Sequence, residues 1–132
     1  MKHAEARAEI ETQFAALWAA TPVAYENVVF EPPADETPWV RLSVASDAAE
    51  LASIGGPPRR WRCRGRVVLD IHTATGSGSR LALQLADLTL DLFAGWPASP
   101  LRFLAGSPAP AVQSGDLYRV TVTVPFRYDD LR

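Results

Sequence analysis

Residues 118–127 read Tyr-Arg-Val-Thr-Val-Thr-Val-Pro-Phe-Arg, and they decide the fold class. Tyr118, Val120, Val122, Val124 and Phe126 fall on one side of a period-two pattern. Arg119, Thr121, Thr123 and Arg127 fall on the other. Strict alternation over so many residues is the signature of a strand with one buried face. Pro125 suits an edge or a strand terminus. The charged tail that follows, Arg-Tyr-Asp-Asp-Leu-Arg, reads as frayed or held by a partner.

Two further stretches share this period. In residues 38–45, PWVRLSVA, Val40, Leu42 and Val44 oppose Trp39, Arg41 and Ser43. In residues 60–73, Val67, Leu69, Ile71 and Thr73 oppose Arg64, Arg66, Val68, Asp70 and His72. The Arg-rich start of this second stretch reads as an extension beyond the core. Shorter strand candidates are Val28–Phe30 and Leu101–Leu104. Pro- and Gly-rich loops are expected at 46–58, 74–79 and 106–116.

Two segments have helical spacing instead. Over residues 3–20, Ala6, Ile10, Phe14, Leu17 and Trp18 form one stripe, and Thr21-Pro22 ends it. Over residues 80–93, Leu81, Leu85, Leu88 and Leu92 form one stripe and Leu83, Ala86, Leu90 and Phe93 a second beside it. Gly95 is placed to cap that helix. Helices and strands do not alternate strictly. The expected fold is therefore α+β: one domain over residues 1–132, with a mainly antiparallel four- to five-stranded sheet and two helices packed on one face.

Composition narrows the function. The chain has 132 residues with 48% hydrophobic and 21% charged residues, enough for one core without staples. Its single cysteine, Cys63, excludes an internal disulfide and a multi-cysteine zinc site. No apolar run reaches the ~20 residues of a membrane helix. The net charge of −2 speaks against a surface that binds nucleic acid all over. Charge is nevertheless uneven. Residues 1–58 carry three basic and nine acidic residues, whereas residues 59–66, RRWRCRGR, carry five Arg and no acid. Arg suits bidentate pairing with carboxylate or phosphate. The segment Arg59, Arg60, Arg62, Arg64, Arg66 is thus the first candidate for an assembly contact, with Trp39, Arg41 and Arg119 on the polar second faces of the strands.

No catalytic, metal or cofactor signature is present, and no cofactor is expected. A small hydrolase would have to use His72 and Asp70 with Ser77 or Ser79 near them, and no nucleophile-elbow motif accompanies these residues. Cys63 between Arg62 and Arg64 has no motif partner. A binding alternative is a single-stranded nucleic-acid module that uses Arg59–Arg66 and stacks bases on Trp61.

Three stretches together resemble a known family. They are the Trp-ending helix running through TPVAYEN to PWVRLSV (residues 15–44), the Arg-rich strand with the helix after it (53–93), and the ending SGDLYRVTVTVPFRYDD (114–130). The pattern is similar to the tail terminator proteins of long-tailed bacteriophages and prophages. That resemblance implies a structural virion protein of the tail, assembled in the bacterial cytoplasm, with no catalytic residues. It implies a homohexameric ring that caps the tail tube, ends its polymerisation and presents a surface to the head. The implied partners are further copies of the chain, the tail tube protein and a head-neck connector, with genomic DNA passing through the ring and no membrane involved.

Overall fold

The computed structural model describes all residues 1–132. The first helix, α1, runs His3–Leu17. Glu5 accepts a hydrogen bond from the Lys2 backbone N–H at 3.2 Å, which satisfies a donor at the helix start and sets a carboxylate at its positive end. Strand β1, Val23–Tyr25, pairs in parallel with β2, Trp39–Ser46. The strand expected at Val28–Phe30 does not form. Val28 and Val29 are largely exposed, and the pairing falls five residues earlier, directly after Pro22.

Strand β4, Arg60–Ala74, is the spine of the sheet. It pairs antiparallel with β2 on one side and along its whole length with β8, Leu117–Leu131, on the other. The loops expected at 46–58 and 106–116 contribute short strands: β3, Glu50–Leu51, on β4, and β6, Ser107–Pro108, and β7, Val112–Ser114, on β8. Strand β5, Arg102–Phe103, pairs with β8 at Arg127 and Phe126. The sheet therefore has eight strands, ordered β1-β2-β4-β8-β5 along its main path, and all but the β1–β2 pairing are antiparallel. Gly115, with φ +58°, makes the tight turn from β7 to β8.

Two expectations about strand ends are corrected here. The tail is not frayed: Arg127 to Leu131 continue β8 and pair with Arg64 to Arg60. The Arg-rich half of β4 is likewise no extension beyond the core. It has β8 on one side and β2 followed by β3 on the other, and on its inner face Cys63 and Gly65 are buried.

Helix α2, Arg80–Ala94, ends at Gly95, whose N–H donates to the Asp91 carbonyl. Both helices lie on the same face of the sheet. Ala6, Ile10, Phe14 and Trp18 from α1 and its cap share one core with Ala82, Leu85, Ala86 and Phe93 from α2 and with the apolar sides of β2, β4 and β8. The buried side of α2 is its small-residue stripe. Ala82, Ala86 and Thr89 allow the backbone to approach the sheet, and Leu81, Leu83 and Leu88 are left facing outward. Leu88, expected in the core, is 49% exposed.

Candidate assembly surfaces

The other face of the sheet carries no helix. Cross-strand partners in a sheet point the same way, so register alone defines what this open face displays. Trp39, His72 and Arg119 form one row across β2, β4 and β8. Arg41, Asp70 and Thr121 form the next, and the Thr121 hydroxyl donates to Asp70 at 2.7 Å. Further along β4 stand Arg66, Arg64, Arg62 and Arg60. The structure thus collects the candidate residues Arg41, Arg60, Arg62, Arg64, Arg66 and Arg119 on one surface, with Trp39 on the same side of the sheet but buried beside Phe30. Arg59 sits just before the strand, where its backbone exchanges hydrogen bonds with Arg132.

The cations of β4 already have carboxylates from their own chain. Arg60 and Arg62 both donate to Asp129, each at 3.1 Å, and hold its carboxyl below the ordinary value, with Arg62 the stronger cause. Arg64 pairs with Glu50 at 2.6 Å, and Arg66 pairs with Asp47. These carboxylates come from the very segments that read as loop and tail. On the inner side of the same sheet end, Lys2 and Arg132 reach Asp130 at 3.1 and 3.0 Å. Burial alone would raise the Asp130 carboxyl, but these cations hold it below its usual value.

An aromatic cluster closes the opposite end of the face. The Trp39 ring stacks on His72 with centroids 4.0 Å apart, Phe30 packs on Trp39 at 5.1 Å, and the Arg41 guanidinium lies 5.6 Å above the indole. Burial lowers the His72 pKa. Asp70 opposes that shift, while Arg119 and Arg41 add to it. The His72 Nδ1 is buried without a hydrogen-bond partner.

This geometry gives little to the two alternatives. The Ser77 hydroxyl donates to the Ala74 carbonyl at 2.7 Å, and Asp70 is engaged by Thr121. Trp61 lies on the inner side of β4 with the Arg132 guanidinium 5.4 Å above its ring, a position a stacked base would need. Cys63 is buried beside Tyr128, whose hydroxyl meets His3 Nδ1 at 2.7 Å.

The sheet is thus covered by helices on one face and half-buried and charged on the other. A family model described as phage tail terminator protein matches residues 3–126. The chain belongs to the phage tail terminator family. Membership makes it a structural protein of tail completion and a component of the virion tail, working among other tail and head proteins. No curated protein matches it. One solved structure, 24% identical, resembles it with a TM-score of 0.64 over 97% of this chain and 96% of its own, and at that identity it attests the fold alone. No helix of this family member is long and apolar enough to cross a membrane.

Sequence reasoning missed two cations of this surface. Arg127 was visible on the outer side of the last strand and Arg102 in a short strand candidate, but neither could be placed beside the Arg segment without the register. The adjacent acids Asp129 and Asp130 were the available signal that the Arg-rich strand had a partner within the chain.

Proposed function

We propose that this protein forms a homohexameric ring that caps the phage tail tube, ends tube polymerisation and offers the joining surface for the head. Family membership supports the tail role, and the observation that carries the ring reading is the uncovered sheet face. A closed ring of identical subunits needs two different surfaces on each copy, joined head to tail. An open face rich in Arg, on a chain whose net charge is −2, supplies one of two electrostatically distinct sides. In this reading the tail tube protein and a head-neck connector bind the two rims of the ring, and genomic DNA passes through it without specific binding. The candidate residues Arg59, Arg60, Arg62, Arg64, Arg66, Trp39, Arg41 and Arg119 act at contacts between subunits.

The test is tube assembly. Tail tube protein polymerised with this chain should give tubes that stop at a set length and carry a ring at one end in electron micrographs. Tubes of the same length distribution with and without the chain would refute the reading. Arg62→Glu is a poor probe for it, because that change opposes Asp129 within the subunit and strikes the fold first.

A further inference from the structure

One row of the open face is electrostatically incomplete. Arg102 on β5 faces Arg127 on β8, and Arg127 faces Arg64 on β4, so three cations stand side by side across three strands. Like charges directly opposite in a sheet destabilise it. Arg64 has Glu50, but Arg127 makes no ion pair, and Arg102 reaches only the Ser99 carbonyl at 3.4 Å. Both line a cleft of about 320 Å³ together with Arg60 and Arg62, whose shared carboxylate, Asp129, is already engaged twice. The row calls for anions from outside the chain, spaced about 5 Å apart as neighbouring strands are.

The chain displays such a pair elsewhere. Asp87 and Asp91 are exposed on α2 and make no ion pair, and residues four apart on a helix stand about 5–6 Å from each other. Beside them Leu88 and Leu92 border an apolar groove of about 400 Å³ that is also lined by Leu17 and Trp18. Helix α2 therefore carries carboxylates and outward leucines on its free side. The open sheet face carries unpaired guanidiniums next to the half-buried Pro125, with the half-buried Val68 and Thr123 one row further along. The helix side and the sheet side lie on opposite faces of one subunit, so they cannot meet within a chain.

We propose that the open sheet face receives the exposed side of α2 from a second copy, with Arg102 and Arg127 pairing with that copy's Asp87 and Asp91. The contact is head to tail, and it rests on the ring reading above by naming the two surfaces that the ring joins. It gives the sheet a helix layer on both faces and buries the leucines that α2 leaves outside its own core.

The experiment is sedimentation of the full chain over a range of concentrations, with Arg127→Glu, Asp91→Arg and the two combined. The parent should self-associate. Each single reversal should weaken association about tenfold or more, as close charge pairs across interfaces do, and the combination in one chain should restore most of it. Both sites are exposed, so each variant should keep the parent's circular dichroism spectrum, and because Arg127→Glu relieves the like-charge row between Arg64 and Arg102, its weaker association cannot come from a weakened fold. Arg127→Gln, which removes the cation without reversing it, should give an intermediate loss. A combination no better than the worse single variant overturns the pairing, as do single variants that associate like the parent. Loss of oligonucleotide binding in Arg127→Glu with self-association intact also overturns it, in favour of phosphate as the anion. A parent that stays monomeric yet still limits tube length overturns this contact and leaves the tail reading standing. A parent that associates as described but has no effect on tubes does the reverse.

Discussion

Gly65 sits in the middle of the Arg-rich strand, and replacing it with Ala tests whether that strand is built into the core. A Cβ at this position would lie 2.5 Å from the Ala45 carbonyl oxygen and 2.6 Å from the Phe126 ring. The first obstacle is backbone of β2, which cannot rotate away. The second is a ring that is 3% exposed and hemmed by Phe103 and Tyr128, with centroids 6.0 and 6.2 Å away. Overpacking of this kind costs about 1–3 kcal/mol. Ala is preferred over Gly in a strand interior by about 0.5–1 kcal/mol, which offsets part of it. A net loss of about 1–2 kcal/mol remains, equal to a fall of about 3–10 °C in melting temperature for a chain of this size. The assay is thermal unfolding followed by circular dichroism at one fixed protein concentration, because self-association would otherwise shift the midpoint. Gly56→Ala is the control: nothing lies within 4 Å of its Cβ position, and it should melt with the parent. If Gly65→Ala melts at or above the parent, the close seating of Gly65 between β2 and Phe126 is wrong, and so is the placement of the Arg half inside the sheet.

The remaining predictions concern core, charge and pH. Leu85→Ala should cost about 2–5 kcal/mol in urea unfolding, whereas Leu88→Ala, at a half-exposed site, should cost under about 1 kcal/mol. Asp129→Asn removes the charge and one of the two oxygens shared by Arg60 and Arg62 and should cost about 1 kcal/mol, since the pairs are partly solvated. The folded Asp129 carboxyl titrates below 3.8, so its contribution is present above that value and lost as pH falls through the acid range, where the variant and parent should converge. His72 is depressed below 6.5, so acidification protonates the unfolded chain first and stability drops as pH falls below that value; His72→Phe should flatten this step while keeping the stack on Trp39. Burial pushes the Tyr128 hydroxyl up to about 12, so the unfolded chain ionises first above pH 10 and stability should decline from there, with tyrosinate absorbance lagging in the folded protein.

The strands that carry the fold were legible because one face of each is apolar without interruption. Val67, Leu69 and Ile71 on β4 and Val120, Val122 and Val124 on β8 are all buried where the period-two pattern put them. The same pattern runs on through Arg127 to Asp130, but charge hides it. Tyr128 and Asp130 point inward while Arg127 and Asp129 point outward, and only the register shows that Asp129 stands opposite Arg62. A charged strand end paired with a charged strand end looks like a loose tail when each is read alone. Helix α2 misled for a different reason. Its leucines surround the axis, so hydrophobicity does not choose a side; Ala82, Ala86 and Thr89 choose it by allowing close approach to the sheet. Val28–Phe30 has β-branched residues but pairs with no strand, and the pairing goes to Val23–Tyr25 beside β2. All the candidate assembly residues except Arg59 lie on outer strand faces. That they form one surface follows from which strands pair, and that information is not local in sequence.

The pairing of the Arg segment also bears on how a ring for DNA passage would work. Five Arg in eight residues would suggest a strong grip on phosphate if they were free, because each neutralised phosphate releases counterions and adds to affinity. Four of these cations are held by Asp129, Glu50 and Asp47 instead. A phosphate must displace or share with a carboxylate already in place, so the gain from each contact shrinks. A subunit can then carry a dense row of guanidiniums, stiff and hydrogen-bonded across its strands, without holding a passing duplex in place. The unpaired Arg102 and Arg127 differ from them in kind. Arg41 and Arg119 on this face also lack an ion pair, but Arg102 and Arg127 stand beside each other in a row of like charges, and a fixed carboxylate pair on a neighbouring copy meets that need at a defined geometry, which a sliding phosphate backbone does not.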